Sequence, residues 1–441
     1  MYQKLIDYLE KPQVLILGFG REGRSSYNFL RKYYPEKPLT VADMKAVDLD
    51  DKFTRLMTGE NYLDGMDEFD LILKSPGIPF RDISLPPGPE ISCQNDLFLR
   101  FVDCPIIGVT GTKGKSTTSS LIYEMLKAAG KEACLIGNIG VPVFESLDSL
   151  EGKTAVVEMS SHQLEFTRAS PKTAVFTNIH SEHLDHYKRG FEGYLKAKLN
   201  IGLFQGEEDF FIYDGDDDSN ISHKIDLNKL PGKKIALKAQ DCQDDDFLAG
   251  LADLNPRLRG RHNFKDICLA AAAARLEGVG DGAIYEAVQA YKGMQHRMEP
   301  IGSFKGIDFY DDAIATVPKA VMAAVEALKN VQTLIIGGKD RGLDYSGFAK
   351  DLYASNIKNL ICLPETGHDI GRAVMAMGQG KKVIIAQDMK AAVIAAYEFT
   401  TPGFACLLSP AAASYNQYRD FAHKGDHFKN LVFEYGKEKP F

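Results

Sequence analysis

Short apolar runs alternate along this chain with longer stretches in which apolar residues recur at helical spacing. The run at 104–109 reads as a buried strand, and the stretch that follows, "STTSSLIYEMLKAAG", places Leu121, Ile122 and Met125 on one helical stripe. Gly130 is a suitable stop for that helix. Strands that alternate with helices in this way are typical of α/β domains with mostly parallel sheets. The pattern therefore predicts an α/β protein.

The chain of 441 residues is too long for a single core, and its pattern divides it into three segments. Residues 1–103 read as a Rossmann-like unit, and residues 104–298 read as a second unit with a mostly parallel sheet. In residues 299–441 the strands "TLIIGG", "NLICL", "KVIIA" and "ACLLS" alternate with helices, which indicates another Rossmann-like unit. We therefore predict three α/β domains with these boundaries.

Composition narrows the class of protein. The net charge of −8 is spread along the chain, which gives no indication of a nucleic-acid surface. The seven cysteines include no C-x-x-C pair, so reduced thiols in a cytoplasm are the simple interpretation. We see no signal peptide and no apolar run long enough to span a bilayer. We expect a soluble cytoplasmic monomer that binds neither nucleic acid nor membrane.

A glycine motif follows the first predicted strand. In "QVLILGFGREGRSS" the strand leads into Gly18-x-Gly20-x-x-Gly23 and then a helix, and Asp43 lies 20 residues after Gly23 at the end of a second strand. Glycines at this spacing cradle a pyrophosphate at a helix N-terminus. Taken alone, the motif would favour an NAD-dependent oxidoreductase.

The segment "GVTGTKGKST" (108–117) joins a predicted strand to a predicted helix and suggests a phosphate loop. Its glycines lie closer together than in the usual pattern, which would place the first glycine where Val109 stands. The chemistry still fits, because backbone N–H groups and Lys115 would face phosphates and the hydroxyl of Ser116 would bind Mg²⁺. A glycine-rich connection with a solvated lysine is the alternative. We favour the phosphate loop, which makes the central unit P-loop ATPase-like.

One lysine lies on the apolar face of a predicted helix. In "FEGYLKAKLNIGLFQ", Lys198 follows Tyr194 on the apolar stripe, where an ammonium costs desolvation unless it finds a partner. The lysine either snorkels to the helix edge or points into an active cleft.

Two further strands end in polar side chains, Glu158 and the run "NIHSEHLDHY" that carries His183. Strand ends of a parallel sheet gather at one edge, so these residues would face the phosphate loop. One histidine beside Mg²⁺ and phosphate suits the run better than zinc does, because the H-E-x-x-H spacing is missing.

Together these motifs resemble the Mur ligases, the ATP-dependent amide-forming enzymes of peptidoglycan assembly. The resemblance extends over nearly the whole chain and is carried, in family order, by "TGTKGKST", "EMSSHQLE", "NIHSEHLDHY", "YLKAK", "GRHN" and "QHRME". The segments "GFGREGRSS", "SPGIP" and "LLSPAAASYNQYRDF" look most like the members that add D-glutamate. The resemblance implies that the amino-terminal glycine motif holds a UDP-muropeptide rather than NAD.

The activity implied is ATP-driven formation of an amide bond between UDP-N-acetylmuramoyl-L-alanine and D-glutamate. ATP would activate the muropeptide carboxylate as an acyl phosphate, which the amine then attacks. Another Mur-type or folylpolyglutamate-type ligase with different amino-acid specificity is the alternative, although the latter usually lacks a domain like residues 1–103. An oxidoreductase would leave Lys115, Glu158 and Lys198 without a role. A catalytically silent relative would bind nucleotide without turnover.

The resemblance also implies site residues. The UDP-substrate would contact Gly20, Arg21, Glu22, Asp43, Ser75 and Asn138, with His183 on its sugar–peptide side. The residues expected at ATP are Gly111, Thr112, Lys113, Gly114, Lys115, Ser116, Thr117, Asn263, Arg297 and Asp312. Two Mg²⁺ ions would be held by Ser116, Glu158, His183 and Lys198, with Lys198 present as a carbamate. The residues expected to be catalytic are Lys115, His183 and Lys198.

D-Glutamate would contact Thr316, Arg341, Ser414 and Phe421. We expect Ser414 early in a helix, whose N–H groups would suit a carboxylate.

The chain departs from the family pattern in the third segment. "DDAIATVP" stands where members carry a sequence like Asp-Ser-Lys-Ala-Thr-Asn, so Ile314 replaces a lysine and Val317 replaces an asparagine. Lys113 stands where asparagine is common, and Arg341 stands where lysine is common. The changes at 314 and 317 leave the amino-acid specificity open.

Overall fold

The computed structural model describes residues 1–83, 85–139, 141–182, 184–340, 345–414 and 417–437. They form two compact units, Met1–Tyr291 and Lys292–Phe441. The first unit contains two β-sheets and the second contains one. Among these residues, no helix has the length and apolarity needed to cross a bilayer.

The first sheet has the strand order β3-β2-β1-β4-β5, and all its strand pairs are parallel. Its strands are β1 (Val14–Leu17), β2 (Leu39–Asp43), β3 (Thr54–Thr58), β4 (Leu71–Lys74) and β5 (Glu90–Ser92). The helices of this part are α1 (Gln3–Glu10), α2 (Arg21–Tyr33) and α3 (Gln94–Phe101). Every residue of β1 and β4 is buried, and all of them except Lys74 at the end of β4 are apolar.

The second sheet has the order β11-β10-β9-β6-β8-β7 and is also parallel throughout. Its strands are β6 (Ile106–Thr110), β7 (Ala133–Gly137), β8 (Thr154–Glu158), β9 (Thr173–Phe176), β10 (Phe210–Asp214) and β11 (Lys233–Leu237). The helices are α4 (Lys115–Ala128), α5 (Val143–Ser146), α6 (Ser161–Leu164), α7 (Phe191–Leu203), α8 (Ile221–Lys224), α9 (Ala239–Gln243), α10 (Asp246–Leu251), α11 (Arg261–Leu276) and α12 (Asp281–Ala290). Because β6 lies between β8 and β9, the carboxyl ends of these three strands meet at one edge.

The third sheet, in the second unit, has the order β12-β13-β17-β14-β15-β16. Its strands are β12 (Glu299–Phe304), β13 (Ile307–Asp311), β14 (Val331–Ile336), β15 (Asn359–Cys362), β16 (Lys382–Ile385) and β17 (Ala405–Leu408). Only the β12–β13 pair among them is antiparallel. The helices are α13 (Pro318–Leu328), α14 (Ser346–Ala354), α15 (Thr366–Ala376), α16 (Met389–Phe399) and α17 (Phe421–Lys437).

The expectation that Ser414 lies early in a helix is wrong. Ser414 lies in irregular structure after β17, and the last helix, α17, begins only at Phe421. Pro410 and the left-handed backbone of Ala411, with φ of 58°, keep the chain out of a helix at this point. The carbonyl of Ala413 instead accepts a hydrogen bond from Lys339 N at 2.7 Å, which holds the segment against the loop after β14.

Candidate active site

The predicted phosphate loop spans the four residues between β6 and α4 and requires its glycines. Gly111 has φ of 148°, and a Cβ there would lie 1.9 Å from Thr177 Oγ1. Gly114 has φ of 82°, and a Cβ there would lie 2.3 Å from Asp266 Oδ1. Any other residue would strain the backbone and collide with a neighbouring polar group, so the loop depends on both glycines.

Asn178, which sequence analysis missed, fixes the loop from the end of β9. Its carbonyl accepts from Thr112 N at 2.8 Å, and its Oδ1 accepts from Lys113 N at 2.9 Å. Its Nδ2 donates in turn to the carbonyl of Lys113 at 3.1 Å. The side chain of Lys113 extends outward to Glu182, with Nζ 3.0 Å from Oε1. The signal was available, because Asn178 follows β9 at the same sheet edge.

Two lysine ammonium groups share the carbonyl of Gly111. Lys115 Nζ donates to it and to the carbonyl of Thr112, both at 2.9 Å, and Lys198 Nζ donates to it at 2.7 Å. Lys198 is only 2% exposed, so it does not snorkel to the helix edge. Burial, and then the neighbouring charge of Lys115, lowers the pKa of Lys198 well below its usual range. Burial and the charge of Lys115 thus both disfavour the ammonium form of Lys198.

Glu158 offers a free carboxylate oxygen beside this loop. It ends β8, is almost completely buried, and its Oε1 accepts from Asn138 Nδ2 at 2.5 Å. Its Oε2 is buried without a hydrogen-bond partner among the described residues. A buried carboxylate oxygen in this condition suits a cation, and the hydroxyl of Ser116 lies on the first turn of α4. The donor set therefore fits Mg²⁺.

The amino-terminal glycine motif packs as tightly as its sequence suggests. A Cβ on Gly23 would lie 1.9 Å from the carbonyl oxygen of Gly18, so α2 can approach the loop only with glycine there. Asp43 Oδ2 accepts from Phe19 N at 2.7 Å, and Ser75 Oγ donates to the carbonyl of Gly18 at 2.7 Å. Asp43 and Ser75 thus converge on the loop between β1 and α2.

Glu22 does not point freely toward a ligand. Its Oε1 accepts from Gln163 Nε2 at 2.6 Å, and its Oε2 is buried without a described partner. Burial raises the pKa of Glu22 to about 7. Gln163 is held by a capping box with Ser160 at the start of α6, so this contact ties the first sheet's glycine loop to the second. Sequence analysis missed Gln163, although the motif "EMSSHQLE" contains it.

Three further residues expected to contact substrates, Arg21, Thr117 and Asn263, lie in the first turns of helices in the first unit. Arg21 begins α2 directly after Gly20, and Thr117 lies half-buried in the first turn of α4. Asn263 lies in the first turn of α11, which begins at Arg261, and its Nδ2 donates to the carbonyl of Arg259 at 3.0 Å. Two expected site residues, His183 and Arg341, lie outside the described residues.

In the second unit, Asp312 is buried behind the exposed Arg297. Its Oδ2 accepts from Ser409 Oγ at 2.7 Å and its Oδ1 from Met298 N at 3.1 Å. Burial raises the pKa of Asp312 to about 6, against the opposing effect of those bonds and of Arg297.

The residues expected at D-glutamate also lie in the second unit. Ser414 Oγ is buried without a described partner, Phe421 opens α17, and Thr316 is half-buried just before α13. The unsatisfied hydroxyl of Ser414 is available to a polar ligand.

Two family models match the chain. The Mur ligase middle domain matches residues 109–274, and the Mur ligase glutamate ligase domain matches residues 296–412. The UDP-N-acetylmuramoylalanine–D-glutamate ligase of Symbiobacterium thermophilum is 35% identical over 86% of this chain and 87% of its own length. The enzyme of that name from Geobacillus kaustophilus is 32% identical over 96% of this chain and 98% of its own length. The chain belongs to the Mur ligase family.

Solved structures of Mur ligases share the fold. UDP-N-acetylmuramate-alanine ligase from Thermotoga maritima matches 96% of this chain and 100% of its own, with a TM-score of 0.52 at 16% identity. MurF ligase from the same organism, solved with ADP, matches 98% of this chain and 97% of its own, with a TM-score of 0.51 at 15% identity. The predicted three-domain α/β fold and the resemblance to the D-glutamate-adding branch are confirmed. The predicted boundaries at 103/104 and 298/299 stay predictions.

Proposed function

We propose that this Mur ligase joins D-glutamate to UDP-N-acetylmuramoyl-L-alanine at the expense of ATP, in the synthesis of peptidoglycan precursors. The observation that carries this proposal is similarity over nearly the full chain to enzymes named for that reaction. The reaction needs a phosphate site beside a cation site, and the edge formed by β6, β8 and β9 offers both. An oxidoreductase would use neither.

ATP binds at the loop after β6 in this proposal. The N–H groups of residues 111–117 and the ammonium of Lys115 face the phosphates, and Asn263 contacts adenine. Arg297 and Asp312 are further ATP contacts that the family resemblance implies. Lys115 then exchanges its two loop carbonyls for phosphate oxygens, which are stronger acceptors.

Ser116 and Glu158 would hold one Mg²⁺, with His183 helping to hold a second. Bound Mg²⁺ offsets the repulsion between the carboxylate and phosphate anions. Lys198 as a carbamate explains an otherwise unfavourable pair. A protonated Lys198 would repel Lys115 at the Gly111 carbonyl, whereas a carbamate on Lys198 would attract Lys115. Carbamate formation adds CO₂ to a neutral amine with loss of one proton, and the lowered pKa of Lys198 favours that amine.

The UDP-muropeptide occupies the loop between β1 and α2 in this proposal. Gly20, Arg21, Asp43 and Ser75 surround that loop, and Asn138 reaches the substrate from the end of β7. Glu22 supports the site through Gln163.

D-Glutamate binds to Thr316, Arg341, Ser414 and Phe421 in this proposal, and the unsatisfied hydroxyl of Ser414 suits one of its carboxylates. Ile314 and Val317 lack the polar groups common at their positions, so amino-acid specificity is the part to test first.

The muropeptide carboxylate attacks the γ-phosphorus of ATP, which gives an acyl phosphate and ADP. The amine of D-glutamate then attacks the acyl carbon and loses a proton, and inorganic phosphate leaves. Lys115 offsets the charge on the transferred phosphoryl group. We also propose that the protein acts in the cytoplasm and that it is a monomer. Light scattering would test the monomeric state.

The decisive experiment measures phosphate release from ATP with UDP-N-acetylmuramoyl-L-alanine. D-Glutamate, L-glutamate, glycine and L-alanine are added in turn. We expect release with D-glutamate only. Release with another amino acid would support the ATP-dependent ligase reaction but assign it a different amino-acid substrate. No release with any of them would contradict the proposal.

A further inference from the structure

The segment around Arg297 has an unfavourable backbone. His296 has φ of 60° and Met298 has φ of 44°, so two non-glycine residues in the left-handed region flank the arginine. Such backbone conformations are unfavourable for residues other than glycine and persist only where the surrounding structure holds them. The direction of the Arg297 side chain therefore depends on what fixes residues 296–298.

A buried histidine–aspartate pair fixes this segment to the end of β13. His296 Nδ1 lies 2.7 Å from Asp311 Oδ2, and both side chains are almost completely buried. Because the carboxylate only accepts, the imidazole Nδ1–H donates. The carbonyl of His296 accepts from Ile314 N at 3.1 Å, and Met298 N donates to Asp312 Oδ1. Arg297 and Asp312 are thus held through the same short network.

The imidazole also packs against α17. A Cβ on Gly425 would lie 2.2 Å from His296 Nδ1 and 2.4 Å from Asp311 Oδ2, so the helix approaches the pair only because it has glycine there. The rings of His296 and Phe421 meet edge to face, with centroids 5.9 Å apart. One buried side chain therefore touches both the segment of Arg297 and the first residue of α17.

A cation site at this cluster is the competing explanation. His296, Glu299 and Asp311 are close enough together to ligate one ion. Lys429 Nζ, however, lies 3.1 Å from Glu299 Oε2 and 3.9 Å from Asp311 Oδ2. The ammonium already supplies the positive charge, so the cluster needs no metal to be balanced.

We propose that His296 is a positioning residue for two substrates. Through Asp311 it fixes Arg297 and Asp312, the proposed ATP contacts, and through its ring it fixes Phe421, a proposed contact of the amino acid. This inference rests on the ligand assignments of the proposed function. It predicts that different substitutions of His296 affect the two substrates differently. The effect on ATP depends on the hydrogen bond to Asp311, and the effect on the amino acid depends on the ring contact with Phe421.

The test compares His296→Ala with His296→Asn in the full-length protein. Asparagine tolerates the left-handed backbone and its Nδ2–H can donate to Asp311, but it has no ring. We expect His296→Ala to raise KM for ATP by about tenfold or more, as for loss of a charge-assisted hydrogen bond. His296→Asn should restore most of KM for ATP while KM for D-glutamate stays raised in both variants. KM for the UDP-muropeptide should not change.

Asp308→Asn, on the same strand as Asp311, is the matched control and should leave all three KM values unchanged. Where His296→Ala fails to fold, Asp311→Asn carries the same expectation for ATP. The inference is overturned if His296→Ala changes the three KM values equally, or if asparagine restores none of them. Calorimetric titration with a non-hydrolysable ATP analogue repeats the ATP comparison without turnover, so the inference remains testable if the proposed reaction is not observed.

Discussion

Two buried lysines, one in each unit, bind the chain in the same way. Lys198 Nζ donates to the carbonyl of Gly111 at 2.7 Å, and Lys424 Nζ donates to that of Gly337 at 2.6 Å. Each glycine directly follows a central strand, β6 or β14, and each has a positive φ. Both ammonium groups are almost completely buried, and burial lowers both pKa values, that of Lys424 to about 7.

The neighbours separate the two lysines. Lys198 and Lys115 both donate to the carbonyl of Gly111. Lys198 also interacts electrostatically with Glu158, whose Oε2 has no hydrogen-bond partner among the described residues. Lys424 lies beside the ring of Tyr418 and binds the turn that follows β14. That turn is also hydrogen-bonded to the segment at Ala413. A buried lysine is therefore not evidence of function by itself. A second cation and a free carboxylate oxygen next to it are what indicate chemistry.

Replacing each lysine by methionine should reduce kcat far more at Lys198 than at Lys424. Lys198→Met should reduce kcat by about a thousandfold, roughly 4 kcal/mol of transition-state stabilisation, because methionine cannot form the proposed carbamate or carry its charge. Lys424→Met should change kcat by less than about threefold, because that lysine only supports a turn. Phosphate release measures both, with circular dichroism to confirm folding. Equal losses in the two variants would contradict the distinction.

The lowered pKa of Lys424 should make the stability of the protein depend on pH. Its folded pKa of about 7 lies below the unfolded value of about 10.4, so the unfolded state binds more protons between these limits. The lysine therefore penalises folding fully below pH 7, and the penalty disappears as the pH rises toward 10. Relative to Lys424→Met, the free energy of unfolding of the native protein should rise by up to about 5 kcal/mol over this range. Urea denaturation at several pH values measures the difference, and parallel curves for the two proteins would exclude a buried, titrating amine.

The carboxylate beside Lys198 should control the need for Mg²⁺. Glu158→Gln should raise the Mg²⁺ concentration for half-maximal activity strongly, and Asn138→Ala should raise it by about tenfold because Asn138 orients that carboxylate. Glu286→Gln, exposed on α12, is the control and should have no effect. An unchanged Mg²⁺ requirement in Glu158→Gln would remove Glu158 from the metal site.

A smaller effect is expected at the hydroxyl of Ser414, which has no hydrogen-bond partner among the described residues. Ser414→Ala should raise KM for D-glutamate by about fivefold, roughly 1 kcal/mol, and leave KM for ATP unchanged. Ser303→Ala, exposed on β12, provides the comparison. If Ser414→Ala binds D-glutamate as well as the native protein does, the hydroxyl has a structural role only.

Local patterns in the sequence determined the strands, the major helices and the phosphate loop. Gly111 and Gly114 were recognisable because a strand, a turn and a helix follow one another within a few residues. Lys198 stood out because a charge on an apolar helical stripe conflicts with burial, and the structure does bury it. Glu158 could be placed near the loop because strand ends of a parallel sheet share an edge.

Only the tertiary structure decided how distant segments meet. Three contacts join residues that are separated along the chain. Asn178 binds the phosphate loop, Gln163 binds Glu22, and Asp311 binds His296. Ser414 was placed in a helix because the sequence after "LLSPAA" reads as helical, whereas the pairing of Ala413 with Lys339 holds it out of one. Periodicity records which face of an element is buried, but it carries no information about which other element covers that face. The order of the strands, and the contacts between side chains of different elements, were therefore decided only by the folded chain.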